Sequence, residues 1–290
     1  MDINGTTRVC GLIGNPVAHS ISPVIHNRLA GLRGDNLVYA TFKVEAGNVA
    51  AAVKGAYALD ILGLNVTVPH KQAVIDELVD IDELAAAIGA VNTLVRTEGG
   101  FKGYNTDIFG LDRELSDVGI SLEDQCVVII GAGGAARAIA FLCAGKKASE
   151  LYIMNRTLEK AQNIADAVNE YAKKDIAKAA GISECGSFDK KDYIVIQTTS
   201  VGLHPHDDET AVTADEFYEN AAAGVDIIYN PYETMFMKLM KKHGKPAYNG
   251  LKMLLYQGVA AYELWNDCKI SSDMADIIYE DMKKELGISE

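Results

Sequence analysis

A chain of 290 residues that is 49% apolar and 23% charged has the material for a large core, and its length suits two domains better than one. Its net charge of -13 argues against a nucleic-acid partner, which needs a basic surface, so any anionic ligand has to be held by a local set of donors. Five scattered cysteines without Cys-x-x-Cys spacing read as buried free thiols of a reducing compartment, and with neither a hydrophobic leader nor a membrane-length apolar run the expectation is a cytoplasmic protein that is not embedded in a membrane.

In chain order, Arg8 to Gly14 reads as a strand ending at Gly14-Asn15-Pro16, followed by a polar loop and a helix with Ser22 as N-cap and Pro23 in its first turn. Leu37 to Lys43 is a second strand, Gly47 to Leu59 a helix and Gly63 to Val68 a third strand, a βαβ rhythm that implies a mostly parallel sheet. Lys71 to Val79 and Ile81 to Ile88 read as helices, Val91 to Arg96 and Phe101 to Tyr104 as a hairpin about Gly99, and Thr106 to Val118 as a helix. The second half offers strands at 127–130, 151–154, 181–185, 193–197, 225–229 and 247–248 with helices between them, the longest Thr157 to Lys174. Leu251 to Asn266 and Ser272 to Leu286 read as two closing amphipathic helices.

The run Val127 to Ile130 breaks into Gly131-Ala132-Gly133-Gly134-Ala135-Ala136 and resumes as a helix former. Gly131 permits a tight turn, Gly133 a close approach of backbone amides to a pyrophosphate, and Ala136 close packing of helix on strand. With a second apolar run about one helix later, the loop lies in a βαβ unit of the right size for a dinucleotide. Where dinucleotide folds that take NAD place a carboxylate for the ribose 2′-OH, this chain has Asn155-Arg156-Thr157, with Lys160 one helical turn on. That set of donors suits a 2′-phosphate and hence NADP.

In the first half, polar residues gather at predicted strand ends: Ser20, Ser22, Asn65, Thr67, Lys71, Asn92 and Asp107. Singly, these residues have ordinary explanations as caps and turn residues. Together they offer many neutral donors and acceptors with one lysine and one aspartate, which suits a small polyhydroxylated acid. His204 and His206 lack further ligands at matching spacing, and no metal site is expected.

These motifs carry a family resemblance. Gly14-Asn15-Pro16 with His19-Ser20-x-Ser22-Pro23 and His26-Asn27, Asn65-Val66-Thr67-Val68-Pro69-x-Lys71, Ala90-Val91-Asn92-Thr93 and Gly103-Tyr104-Asn105-Thr106-Asp107 resemble, in order and spacing, the signatures of shikimate dehydrogenases. Gly131 to Ala138, Asn155-Arg156-Thr157, Tyr229-Asn230-Pro231 and Gly250-Leu251-x-Met253-Leu254-x-x-Gln257-Gly258 extend the likeness over nearly the whole chain. Departures are mild: Leu111 stands where Phe is frequent, and Gln197-Thr198-Thr199-Ser200 where Asn-Ala-Thr-Ser is common.

The resemblance implies an α/β chain with a mostly parallel substrate domain, residues 1–107 with 252–290, and a Rossmann dinucleotide-binding domain, residues 108–251, with the active site in the cleft between them. It implies reversible hydride transfer between NADP and shikimate, with Lys71 and Asp107 catalytic and Ser20, Ser22, Asn65, Thr67, Asn92, Tyr229 and Gln257 binding substrate. The cofactor set is Gly131, Ala132, Gly133, Gly134, Ala135, Asn155, Arg156, Thr157, Lys160 and Met253. The protein is expected to be a monomer or homodimer. Quinate as substrate and NAD as cofactor are the alternatives within the family. A non-catalytic dinucleotide sensor is the alternative outside it, against which the lysine and aspartate pair argues.

Overall fold

A computed structural model describes residues 3–288. The chain divides into two compact units, one running up to Gly110 and resuming at Leu254, the other spanning Leu111–Met253.

The first unit is built on β1 (Arg8–Gly14), whose last five residues are buried in succession, the pattern of a central strand covered on both faces. After α1 (Ser22–Arg33) the chain returns as β2 (Leu37–Lys43), parallel to β1 with Cys10 opposite Tyr39. Helix α2 (Val49–Ala58) leads to β3 (Gly63–Val66), parallel to β1 on its other side. Next come β4 (Asp80–Ile81), α3 (Glu83–Ile88) and the antiparallel hairpin of β5 (Thr93–Thr97) and β6 (Gly100–Tyr104), turning at Gly99 with φ +81°. The six strands lie in the order β2-β1-β3-β5-β6-β4, with β5 antiparallel to β3. The chain leaves this unit along α4 (Asp107–Asp117).

Two expectations here are corrected. Residues 71–79 do not form an α-helix: the segment holds only a 3₁₀ turn at Ala73–Glu77, because the Lys71 carbonyl accepts Val91 N-H and Val79 N-H donates to Phe101 O, so the backbone is committed to the sheet. The helix expected from Ile81 begins at Glu83, since Asp80 and Ile81 pair with β6 and the Asp82 carboxylate caps the amides of Leu84 and Ala85.

The second unit runs β7 (Cys126–Ile130), α5 (Gly134–Gly145), β8 (Glu150–Asn155), α6 (Leu158–Ala172), β9 (Ala177–Gly181), β10 (Tyr193–Gln197), α7 (Asp215–Asn220), β11 (Ala221–Asp226), α8 (Met235–Lys242) and β12 (Ala247–Asn249). Its six strands are all parallel, in the order β12-β11-β10-β7-β8-β9. The order reverses between β7 and β10, and in such a sheet ligands settle at the carboxyl ends of the strands at that reversal. Two strands are displaced from where the sequence puts them. In place of 181–185 the strand is Ala177–Gly181, and Glu184 turns back to accept Gly181 N-H at 2.8 Å. In place of 225–229 it is Ala221–Asp226, because Asp226 accepts Ile228 N-H at 3.0 Å and bends the chain. Runs of alanine, a poor strand former, conceal both strands in the sequence.

Helix α9 (Leu251–Asn266) carries the chain back to the first unit, and α10 (Ser272–Glu285) packs on α1 through the Arg28 to Asp281 ion pair. Trp265 of α9 lies so close to β3 that a Cβ on Gly63 would sit 2.1 Å from its indole nitrogen, which donates to Leu94 O. Among the described residues no helix is long and apolar enough to cross a membrane.

Candidate active site

Within the first unit, Lys71, Asp107, Asn92 and Asn65 are joined in one hydrogen-bonded chain. The Lys71 ammonium donates to Asp107 Oδ2 at 2.7 Å, and the two side chains are 29% and 15% exposed. Asp107 is the first residue of α4, where the helix dipole favours a carboxylate. Its other oxygen accepts Asn92 Nδ2 at 2.9 Å, and its own amide donates to Asn105 Oδ1. Asn92 is fixed in turn, its Oδ1 accepting Thr106 N-H at 2.7 Å. Both carboxylate oxygens therefore have donors, while the ammonium keeps N-H groups beyond the one given to Asp107.

Asn65 lies deeper, 5% exposed, opposite Thr93 in the antiparallel pair. Its Nδ2 donates to Thr93 Oγ1 and Asn92 O, and its Oδ1 accepts the Tyr39 hydroxyl at 2.8 Å. Tyr39 is a member that sequence reasoning missed. The signal was a tyrosine inside a buried strand, whose hydroxyl must find a partner. Burial holds that phenol well above its ordinary pKa, opposed by a hydrogen bond with Ser22. Asn27 clasps the Tyr39 backbone, donating to its carbonyl at 3.0 Å and accepting its amide at 2.8 Å, and His26 stacks on its ring with centroids 4.2 Å apart. Burial pushes His26 down to about 3, so it is neutral at physiological pH.

Ser22 is not the cap of α1. The cap position is Ile21, which makes no side-chain cap bond, and Ser22 N-H donates to Ser20 Oγ at 3.2 Å. The two hydroxyls lie 3.1 Å apart as a pair. Thr67 is half-buried beside the Gly14 turn, where a Cβ on Gly14 would come within 2.3 Å of its methyl group. Gln257 lies on α9, half-exposed, its amide donating to Leu254 O.

In the second unit, the turn after β7 is built on glycines. Gly131 has φ +114°, and a Cβ there would meet Thr198 Oγ1 at 2.5 Å, so the position admits only glycine. Gly133 and Gly134 are exposed, with nothing within 4 Å of an added Cβ. Neither packing nor a positive φ explains glycine at those two positions. They leave bare backbone at the first turn of α5, where unpaired amides suit an anion. Ala132 and Ala135 flank them half-buried, and Ala136 is fully buried under the helix. At the end of β8, Asn155 donates to Thr157 O, and Arg156, Thr157 and Lys160 are exposed. Among the described residues Arg156 has no ion-pair partner. Tyr229 is half-buried in the loop after β11, and Met253 is 8% exposed near the start of α9.

The histidines of the 202–210 loop are engaged with acidic neighbours, His204 with Asp207 and His206 with Glu209, each at 3.2 Å. Among the described residues no group of three or more His, Cys, Asp or Glu is placed to hold a metal.

Comparison with known proteins bears on both units. Residues 12–94 match the family model for the shikimate dehydrogenase substrate binding domain, and residues 114–204 the model for shikimate / quinate 5-dehydrogenase. The chain is 41% identical over 286 residues to the shikimate dehydrogenase (NADP(+)) of Caldanaerobacter subterraneus subsp. tengcongensis, covering 99% of this chain and 100% of that one. Among solved structures, a shikimate dehydrogenase in complex with NADP+ matches with a TM-score of 0.89 and 38% identity over 100% of this chain and 98% of that one. The Listeria monocytogenes shikimate 5-dehydrogenase in complex with shikimate and NAD matches with a TM-score of 0.88 and 30% identity, over 97% and 98%. Identity at this level over nearly the full length of both chains, with family models matching in both units, places the protein in the shikimate dehydrogenase family.

Proposed function

We propose that the protein is an NADP-dependent shikimate dehydrogenase, reducing 3-dehydroshikimate reversibly to shikimate on the route to chorismate and the aromatic amino acids. The observation that carries this reading is the Lys71 and Asp107 ion pair, held at 2.7 Å by neutral amides at the strand ends of the first unit. A dinucleotide sensor has no need of such a pair. The bare glycines at the start of α5 and the exposed Arg156 after β8 fit the diphosphate and the 2′-phosphate of NADP. We assign most substrate contacts to the first unit, Tyr229 of the second being the exception, and the cofactor contacts to the second, in a cytoplasmic enzyme that is a monomer or a homodimer.

Bound NADP, which the glycine turn before α5 and Arg156 would hold, would supply the hydride chemistry between the carbinol and carbonyl carbon of the substrate. The protein manages the accompanying proton. In the reductive direction Lys71 gives a proton from Nζ to the carbonyl oxygen as it becomes a hydroxyl, and in the oxidative direction Nζ takes that proton back. Asp107 Oδ2 holds the lysine in place and balances its charge, and Asn92 holds Asp107. Ser20 and Ser22 offer two adjacent hydroxyls to the substrate carboxylate, while Thr67, Tyr229 and Gln257 bind its ring hydroxyls. Asn65 and Asn92, whose amides are largely engaged within the chain, set the floor of the substrate site.

Lys71→Ala tests the assignment. It is expected to lower kcat with shikimate by roughly 100-fold or more, the usual scale for a positioned acid or base, while NADP affinity changes little. A variant that keeps kcat and only raises KM would make Lys71 a binding residue and remove the mechanism above.

A further inference from the structure

The carboxyl ends of β10 and β11 meet at two side chains with no place in the chemistry just described. Gln197 and Asp226 are partners in the parallel register, 1% and 0% exposed. Gln197 Oε1 accepts Thr199 N-H at 2.6 Å, and its Nε2 donates to Thr199 O at 3.2 Å and Val201 O at 3.3 Å, with Asp226 Oδ1 at 3.4 Å. Asp226 binds the next loop over. Its Oδ1 accepts Ile228 N-H at 3.0 Å, and its Oδ2 accepts the Thr234 hydroxyl at 2.7 Å. Asp226 has no ion-pair partner among the described residues, so a buried carboxylate is held by neutral donors alone. Such a group is costly to bury.

What it grips is the segment that carries Tyr229. The bond to Ile228 fixes the amide just before Tyr229, and the bond to Thr234 fixes the far end of the same loop, where Thr234 also caps α8 through Met237 N-H. The flank is equally built. Gly250 N-H donates to Ile228 O, and Asn249 Nδ2 donates to Tyr232 O. A Cβ on Gly250 would sit 2.1 Å from Ile227 O, so that glycine is required for the approach. A loop needing only to join β11 to α8 would not require tethers at both ends and along one side. One that must present a single side chain at a fixed place would.

We propose that Asp226 and Thr234 are positioning residues that set Tyr229 for the substrate by clamping the loop between them. This rests on the assignment of Tyr229 to substrate binding made above. The test is a double-mutant cycle on steady-state kinetics with shikimate, pairing Thr234→Val with Tyr229→Phe, and Thr234→Ser as the conservative control. Thr234→Val keeps the volume and removes the hydroxyl. It is expected to raise KM for shikimate roughly tenfold with a smaller change in kcat, Thr234→Ser to restore KM to within about twofold, and Thr234→Val to add nothing once Tyr229 is Phe. Asp226→Asn, which keeps the shape and removes the charge, is read in the same cycle and gives the result even if Thr234→Val does not fold. Independent, multiplying losses from the two positions, or an unchanged KM in both Thr234→Val and Asp226→Asn, would overturn the proposal. An unchanged KM in Tyr229→Phe alone would instead overturn the assignment of Tyr229 on which it rests.

Discussion

Asn92 illustrates how neutral residues set a charged pair: it donates to Asp107 with one end of its amide and accepts Thr106 N-H with the other, so the carboxylate cannot turn away from Lys71 without breaking a buried bond. The residue scale also holds a group outside the proposed chemistry that reports on stability. Glu114 on α4 is 1% exposed, with one oxygen lacking any hydrogen-bond partner among the described residues. Burial pushes it up to about 8, against the pull of Lys252 and the Met253 amide. The native chain thus keeps a proton that the unfolded chain releases near 4.5, so its contribution to stability is full below that value and falls as pH rises toward 8. Glu114→Gln has no such proton to lose. Relative to the parent it is expected to gain roughly 2 to 5 kcal/mol on going from pH 5 to pH 8.5, read from denaturant unfolding. Parallel stability curves for the two proteins would show that Glu114 does not hold its proton in the folded state.

Among the elements, β8 and the turn after it are where the proposed function puts the choice of cofactor. Asn155 closes the strand by bonding across the turn to Thr157 O, which leaves Arg156 exposed at its tip, with Lys160 exposed one turn into α6. Arg156→Ala is expected to lower kcat/KM with NADP about tenfold or more while leaving that with NAD nearly unchanged, because only the 2′-phosphate needs the planar donor fork. An unchanged ratio between the two cofactors would move 2′-phosphate recognition elsewhere. The same turn shows what was legible in sequence: β7 ends in four buried apolar residues, β8 carries the apolar run Leu151 to Met154, and the glycines after β7 have a local cause in φ and open backbone. Ala221–Asp226 and Ala177–Gly181 were displaced because alanine carries little strand signal and their ends are set by side-chain bonds of Asp226 and Glu184. Residues 71–79 misread as a helix because the bonds at both ends of the segment, at Lys71 and Val79, go to Val91 and Phe101, partners that no local window contains. In the site, Lys71, Asp107 and Asn92 were legible as polar residues at strand ends. Tyr39 was not, since its link to Asn65 crosses from β2 to β3 with β1 between them.

On the scale of the whole molecule, a chain of net charge -13 is proposed to take an anionic acid and a cofactor with three phosphates. The general field opposes both, so the proposed recognition rests on short-range donors, for which the Ser20 and Ser22 hydroxyls, the amides at the start of α5, and Arg156 with Lys160 are the proposed set. On this proposal the preferred pairing of substrate and cofactor is the property that both sets of donors decide. The most direct test of the account is therefore the formation of reduced cofactor, followed at 340 nm, with shikimate or quinate in combination with NADP or NAD, as kcat/KM for all four pairs. The account predicts that shikimate with NADP is the best pair, by about tenfold or more over shikimate with NAD. No turnover with any pair, or a best pair of quinate with NAD, would contradict it.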